Sequence, residues 1–142
     1  MKGSDDIVRD LEICLSEIIK GTPSIVAVYL FGSYVKKKEK AQSDMDLAFL
    51  LDEKVYKADP FEATGPAYMA AMRIGMRLKR ETDVVILNSS SVELAYEAVT
   101  SGCCVYEAEQ DRRLEYEAIV KGMYYDFRPF LMELRSRFLE RL

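Results

Sequence analysis

Two apolar runs, separated by a short polar stretch, indicate that this chain folds around a central β-sheet. Residues 24–31, SIVAVYLF, are almost entirely β-branched, aliphatic or aromatic, which is typical of a strand buried on both faces. Residues 44–51, DMDLAFLL, form a second apolar run with Asp44 and Asp46 at its head. Unpaired carboxylates at the head of a buried strand cost free energy, so these two aspartates need a physical explanation.

The rest of the chain alternates between helical and strand-like segments. Apolar residues recur at helical spacing in residues 5–19 and 64–80, and residues 91–100 predict a short helix. Further strands are expected at residues 82–87 and 102–107, and a polar loop is expected from residue 52 through Pro60. This order predicts an α/β (α+β) fold, in which helices flank a small mixed sheet of about four strands.

The C-terminal third is predicted to be helical from Asp111 onward, because aromatic and aliphatic residues repeat there at helical spacing. Pro129 is expected to kink or split this helix near Arg128. The aromatic stripe is interpreted mainly as core. Any part of it that stays exposed predicts a partner-binding surface, in a homo- or hetero-oligomer.

The length of 142 residues predicts one domain. We expect a single domain over residues 1–142. Its core is expected at about 22–107 and a C-terminal helical segment at about 111–141. No linker or internal repeat divides the chain.

Composition excludes several kinds of chemistry. The chain has no histidine, which rules out Ser-His and Cys-His nucleophile pairs and imidazole zinc ligands, so carboxylates and hydroxyls must carry any catalysis. The formal net charge of −4 argues against a general affinity for nucleic acid. No signal peptide or membrane span is predicted, and a cytoplasmic protein is expected. Cys14, Cys103 and Cys104 are interpreted as buried thiols.

The Asp-x-Asp pair predicts a metal site. Residues two apart in a strand point to the same face, so Asp44 and Asp46 are expected to lie side by side, where two negative charges repel unless a cation separates them. Oxygen ligands favour a hard ion, and Mg²⁺ accepts one or two carboxylates together with water and substrate phosphates. An Asp-x-Asp alone is more often a solvated turn, so the metal interpretation depends on what accompanies it.

A phosphate-binding turn accompanies it. Gly32-Ser33 follows the first strand, where free backbone N–H groups and a hydroxyl hold phosphate well and glycine permits close approach. Ten residues separate Ser33 from Asp44, enough for the chain to return to the same sheet edge. Asp83, at the start of the third predicted strand, adds a third carboxylate, and three carboxylates can hold two metal ions.

The spacing Gly32-Ser33, ten residues, Asp44-Met45-Asp46 resembles the signature of the DNA polymerase β-like nucleotidyltransferase superfamily. The short chain resembles the minimal nucleotidyltransferase (MNT) branch, and the tail YYDFRPFLMELRSRFLERL is similar to the C-terminal helices of MntA-like antitoxins. The chain departs from the commonest signature at Tyr34, where arginine is frequent, and at residues 36–38, where lysines replace a frequent glycine.

The resemblance implies transfer of AMP from ATP to a tyrosine hydroxyl of a partner HEPN-type toxin, by the antitoxin of a toxin-antitoxin pair. Ser33 and the Gly32 backbone would hold the triphosphate. Where the chain departs from the signature, Lys36 and Lys37 either supply positive charge near the phosphates or belong to a solvated helix face. Asp44 and Asp46 would bind Mg²⁺. Asp83 would orient or deprotonate the acceptor.

Several alternatives stay open at this stage. An antitoxin of the same fold can neutralise its toxin by binding alone, and a third interpretation is a small-molecule nucleotidyltransferase. Self-modification at one of the nine tyrosines is a further alternative. Arg73, Arg77 and Lys79 either line the same cleft or belong to a solvated helix face, and the solvated face is the commoner arrangement.

Overall fold

A computed structural model of the protein describes residues 4–32 and 44–140. The elements in chain order are α1 (Ser4–Ile18), β1 (Ile25–Phe31), β2 (Met45–Leu51), α2 (Glu53–Ala58), α3 (Pro60–Leu78), β3 (Thr82–Ile86), α4 (Val92–Ser101), β4 (Cys103–Glu107) and α5 (Gln110–Glu140). A 3-10 turn, Leu87–Ser89, joins β3 to α4. The predicted mixed fold with a four-stranded sheet is confirmed.

The sheet brings the starts of three strands to the edge at which β1 ends. Its strand order is β3-β2-β1-β4, with β1 antiparallel to β2 and β4, and β2 parallel to β3. Every residue of β1 is buried, as its apolar sequence predicts. At the shared edge, Phe31 of β1 pairs with Asp46, and Asp46 pairs with Asp83 of β3.

Helices cover both faces of the sheet. Leu47 and Phe49 point into a core formed with α1 and α3, whereas Ala48 and Leu50 point into a core formed with α4 and the first half of α5. Side chains two apart in a strand share a face. Asp46 therefore lies on the same side of the sheet as Ala48, which is the side covered by α4 and α5.

The prediction of a polar loop from residue 52 through Pro60 is wrong, because this segment forms α2 and the start of α3. The Asp52 side chain accepts a hydrogen bond from the Val55 N–H at 3.0 Å, and the Asp59 side chain accepts one from the Glu62 N–H at 3.2 Å. Each aspartate caps a helix N-terminus. Pro60 occupies the first turn of α3, where its missing N–H has no helical partner to lose.

The prediction that Pro129 splits the C-terminal helix is also wrong, because α5 is a continuous helix of 31 residues. Pro129 removes one backbone hydrogen bond, but this part of α5 is exposed, so water can satisfy the freed carbonyl. Arg135 of α5 pairs with Glu93 of α4 at 2.8 Å, which holds the helix to the domain beyond the proline.

The tail aromatic stripe is mostly not core. Val120 is the buried residue of α5, whereas Phe127, Phe130 and Phe138 are 41%, 52% and 65% exposed. The sheet and its helices already form two complete cores, and α5 extends past α4. The interpretation of this stripe as core is therefore wrong for its second half, which forms an exposed apolar surface.

The first half of α5 is fastened by a polar network at the sheet. The Tyr29 hydroxyl donates a hydrogen bond to Glu117 Oε2 at 2.7 Å, and Arg113 donates to the same carboxylate at 2.6 Å. Arg113 also pairs with Glu107 of β4. Burial and the neighbouring Glu117 raise the pKa of Tyr29, so its phenol remains a neutral donor.

Two further predictions concern the burial of the cysteines and the presence of membrane-spanning helices. All three cysteines are free thiols; Cys14 is buried as predicted, but Cys103 and Cys104 are only half-buried. Within residues 4–32 and 44–140, no helix combines the length and the apolar character needed to cross a membrane.

Candidate active site

Asp46 and Asp83 lie side by side on neighbouring parallel strands. They are direct partners in the register of β2 and β3, and adjacent strands run about 4.8 Å apart. The Met45 N–H donates to the Glu81 carbonyl at 2.8 Å, which fixes the starts of the two strands against each other. The backbone therefore aims both carboxylates at the same volume.

Among the described residues, neighbouring carboxylates dominate the electrostatics around Asp46. Partial burial raises the pKa of the Asp46 carboxyl, and the charge of Asp83 and a hydrogen bond with it raise that pKa further. Asp44 and Glu97 add smaller repulsive contributions. The described groups that act most on Asp46 are thus all carboxylates, and a bound cation would relieve their repulsion.

Gly32 lies directly against the Asp46 carboxylate. Its φ is +83°, a backbone conformation that glycine adopts far more easily than other residues. A Cβ at this position would stand 2.2 Å from Asp46 Oδ2, which leaves no room for a side chain. The turn after β1 therefore packs its backbone directly on the Asp46 carboxylate. Ser33, Tyr34 and Lys36 lie outside the described residues.

Asp44 immediately precedes β2 and is exposed. In the part of the chain that the structure describes, no group of three or more acidic or cysteine side chains is arranged around one metal position. Asp46 and Asp83 together still fit Mg²⁺, which typically takes one or two carboxylates and completes its shell with water and phosphate oxygens. The structure thus brings together a carboxylate pair, with Asp44 beside it.

Glu97 of α4 is an acidic neighbour of Asp46 that the sequence analysis missed. It is half-buried and borders the apolar stripe of α4 formed by Ala95, Ala98 and Val99. A helical wheel places Glu97 at the margin of the buried face. Only the packing of α4 on the sheet shows which strands that margin faces.

The basic residues of α3 do not join this site. Arg77 pairs with Glu17 of α1 at 2.6 Å, and both line a pocket with Arg73 and Met76. This pocket belongs to the α1 and α3 side of the sheet, opposite the face of Asp46. The interpretation that Arg73 and Arg77 line the carboxylate cleft is wrong. Lys79 is exposed and ends α3 in a left-handed conformation.

A small mixed sheet, with paired carboxylates on parallel neighbours and a glycine turn packed on one of them, defines a nucleotidyltransferase class of domain. Residues 14–111 match the family described as "Polymerase beta, Nucleotidyltransferase". Because this match covers more than half of the chain, the protein belongs to that nucleotidyltransferase family. The superfamily resemblance of the glycine-serine and Asp-x-Asp spacing is confirmed.

One characterised relative is protein adenylyltransferase MntA of Shewanella oneidensis. The two sequences are 29% identical over 92 residues, which cover 65% of this chain and 61% of the relative. The chain thus spans less than two thirds of the length of the relative it matches.

Solved structures share the fold. A chain of a toxin-antitoxin crystal structure with AMP-PNP superposes with a TM-score of 0.66 at 22% identity, over 90% of this chain and 98% of that one. A chain from the complex of tri-AMPylated Shewanella oneidensis HEPN toxin with MNT antitoxin gives a TM-score of 0.64 at 21% identity, over 93% and 98%. At this level of identity the likeness establishes the architecture.

Proposed function

We propose that this protein is a Mg²⁺-dependent adenylyltransferase that transfers AMP from ATP to a tyrosine hydroxyl of a HEPN-type toxin, and so acts as that toxin's antitoxin in the cytoplasm. The observation that carries the proposal is the Asp46 and Asp83 pair on adjacent parallel strands, with the Gly32 backbone packed on it. The family membership of the chain supports the reaction type.

In the proposed reaction, the acceptor phenolic oxygen attacks the α-phosphorus of ATP and forms the new P–O bond. The bond from that phosphorus to the bridging oxygen of the β-phosphate breaks, and pyrophosphate leaves with the electron pair. The phenolic proton passes to a carboxylate, and we assign this role to Asp83. Its neighbour Asp46 faces the same volume across the strand pair, so the acceptor oxygen and the phosphate can meet there.

The remaining assignments follow the positions of the residues. Asp44, Asp46 and Asp83 are proposed to hold Mg²⁺, which supplies Lewis-acid stabilisation of the phosphate charge when bound. The backbone at Gly32 is proposed to cradle the triphosphate, together with Ser33 and Lys36 outside the described residues. A bound divalent cation would also offset the repulsion between Asp46 and the neighbouring carboxylates.

The relatives support the acceptor and the partner. The curated relative is a protein adenylyltransferase, and one structurally similar chain comes from a complex that contains an AMPylated HEPN toxin. The first supports a protein acceptor, and the second supports an acceptor of the HEPN class.

A second candidate function is neutralisation by binding alone. The exposed apolar residues of α5, among them Phe127, Phe130 and Phe138, favour it because a helix surface of this kind is typical of protein-protein contact. The two functions differ in what the carboxylates do. An antitoxin that only binds has no use for the Asp46 and Asp83 pair.

Transfer of labelled AMP separates the two candidates. The protein is incubated with α-labelled ATP, Mg²⁺ and the HEPN-type protein encoded by the adjacent gene, and the label on that protein is measured. We expect transfer by the wild type and by Asp111→Asn, an exposed carboxylate on α5 far in sequence from the site. We expect no transfer by Asp46→Asn. Undiminished toxin neutralisation by Asp46→Asn, with no label transferred by the wild type, would establish binding alone.

A further inference from the structure

An apolar stripe stays exposed along the second half of α5. We use the name α5 stripe for its five members, which are each between 41% and 65% exposed: Met123, Phe127, Phe130, Leu134 and Phe138. Their spacing of three and four residues places them on one side of the helix, over about 23 Å of its length. A continuous apolar surface of this kind on a folded domain is typical of contact with another polypeptide.

The α5 stripe already contains an ordered aromatic pair. The rings of Phe127 and Phe130 have centroids 5.4 Å apart and planes tilted by 45°. Because each ring restricts the other, less side-chain freedom is lost when a partner covers them. Aromatic residues are also enriched in the cores of protein interfaces. This pair is therefore the expected centre of an interface.

The flank of the α5 stripe that faces away from α4 carries both signs of charge. Asp126 and Arg137 lie three helical turns apart, so both project on this flank. Arg137 pairs with Glu133 of the same helix at 2.7 Å, whereas no described side chain pairs with Asp126. On the opposite flank, Arg135 is held by Glu93 of α4. The open flank therefore presents an acidic group toward one end of the stripe and a basic group toward the other.

This arrangement of charges is complementary to itself. A two-fold axis that crosses α5 between residues 131 and 132 pairs two copies of the helix in antiparallel directions, with the same flank of each helix facing the other copy. Asp126 of each copy then lies opposite Arg137 of the other copy, and this contact occurs twice. A guanidinium has five N–H donors, so Arg137 can bind this carboxylate and also keep Glu133.

The apolar side chains interleave in the same register. Phe127 falls between Leu134 and Phe138 of the second copy, and Phe130 falls between Phe130 and Leu134 of that copy. The antiparallel direction also leaves room for the domains, because each domain packs on the first half of its own α5 and the two domains lie at opposite ends of the helix pair. A second copy therefore fits the α5 stripe in direction, packing and charge.

We propose that the α5 stripe is the interface of an antiparallel homodimer of this chain. The proposal is independent of AMP transfer, because it uses no residue of the carboxylate site. A single helix pair of this length belongs to the class of weak interfaces, which bury less than about 1,200 Å² in total. The dimer is therefore expected to dissociate with a constant on the order of 10 µM.

Sedimentation equilibrium of the full chain, from well below to well above that concentration, tests the proposal. The wild type is expected to convert from monomer to dimer. Phe130→Glu brings two like charges into the centre of the interface and should raise the dissociation constant about thirtyfold or more. Met132→Glu is the matched control, because Met132 is 57% exposed, against 52% for Phe130, but lies on the opposite side of α5. This control should leave the constant unchanged, and circular dichroism checks that both variants keep their helix content.

A charge exchange tests the antiparallel register. In a self-paired dimer, Asp126→Arg or Arg137→Glu places like charges opposite each other twice, so each variant alone should have a dissociation constant raised about tenfold. In an equimolar mixture of the two variants, both contacts again join opposite charges. Mixed dimers should therefore form with a constant within about threefold of the wild-type value, and so should the dimer of the double variant.

Three results would overturn the inference. They are a wild type that stays monomeric throughout this range, equal effects of Phe130→Glu and Met132→Glu, and a mixture of the two charge variants that associates no better than either alone. If the wild type is monomeric and Phe130→Glu loses binding to the HEPN-type protein of the adjacent gene, the α5 stripe contacts that protein instead of a second copy.

Discussion

Replacing Gly32 with alanine tests the close packing of the glycine turn on Asp46. Two costs are expected. The φ of +83° costs an L-residue about 1 kcal/mol, and the new Cβ, placed 2.2 Å from Asp46 Oδ2, forces that carboxylate to move at a cost of roughly 1–2 kcal/mol. The free energy of unfolding should therefore fall by about 2–3 kcal/mol in total.

Gly21 provides a matched control within the same chain. Its φ is also +83°, but nothing lies within 4 Å of the Cβ that an alanine would add. Gly21→Ala should therefore cost only the backbone part, about 1 kcal/mol. The difference between the two variants isolates the contact with Asp46.

Urea unfolding measures these free energies, and a double-mutant cycle assigns the difference to its cause. In the background of Asp46→Ala the offending carboxylate is absent, so Gly32→Ala should cost no more than Gly21→Ala. The coupling energy between positions 32 and 46 should be about 1–2 kcal/mol. Equal losses for Gly32→Ala and Gly21→Ala, or a coupling energy near zero, would refute the reasoning.

Three further perturbations concern the carboxylate pair, the α5 anchor and the proline. Partial burial and the Asp83 charge raise the pKa of Asp46 above its unfolded value of 3.8. The protonated carboxyl therefore contributes its full stabilisation of the fold below pH 3.8. This contribution is lost as the pH rises through the folded pKa. Without Mg²⁺, Asp46→Asn should thus stabilise the protein at neutral pH by about 1 kcal/mol after allowance for solvent screening. Thermal unfolding measured across pH should show that the added stability of the variant disappears in acid. Tyr29→Phe should lower the free energy of unfolding by about 1–2 kcal/mol, because it removes the 2.7 Å hydrogen bond to Glu117 in a buried setting; no loss in urea unfolding would mean that the bond contributes nothing. Pro129→Ala should raise the stability by about 1–3 kcal/mol and increase the helix content, because alanine restores a backbone donor in the interior of α5. An unchanged or lower helix content by circular dichroism would contradict this expectation.

The sheet and the helices that cover it were predictable because local signals agree there with the tertiary packing. The continuous apolar sequence of β1 matches its complete burial, and the position of Asp83 at the head of a strand matches its pairing with Asp46. The packing of Gly32 on the Asp46 carboxylate was not predictable in this way, because the sequence indicates a glycine turn but not which side chain the turn contacts.

Other features depended on signals that the sequence carries weakly or not at all. Asp52 and Asp59 cap helices, yet a short polar segment with no buried residue reads equally as a loop. The stripe of α5 has the spacing of a buried helix, but the structure leaves most of it exposed, and periodicity cannot say what covers a helix. The position of Glu97 beside Asp46 depends on how α4 is rotated on the sheet, which no local pattern encodes.

AMP transfer is tested most directly by tandem mass spectrometry of the proposed HEPN-type partner after incubation with this protein, ATP and Mg²⁺. We expect the partner to carry AMP on a tyrosine, and we expect no such modification when Asp46→Asn or Asp83→Asn replaces the folded wild type. An unmodified partner in the presence of the folded wild-type protein would contradict it. So would AMP transfer that persists in both variants, because the reaction would then not depend on the carboxylate pair.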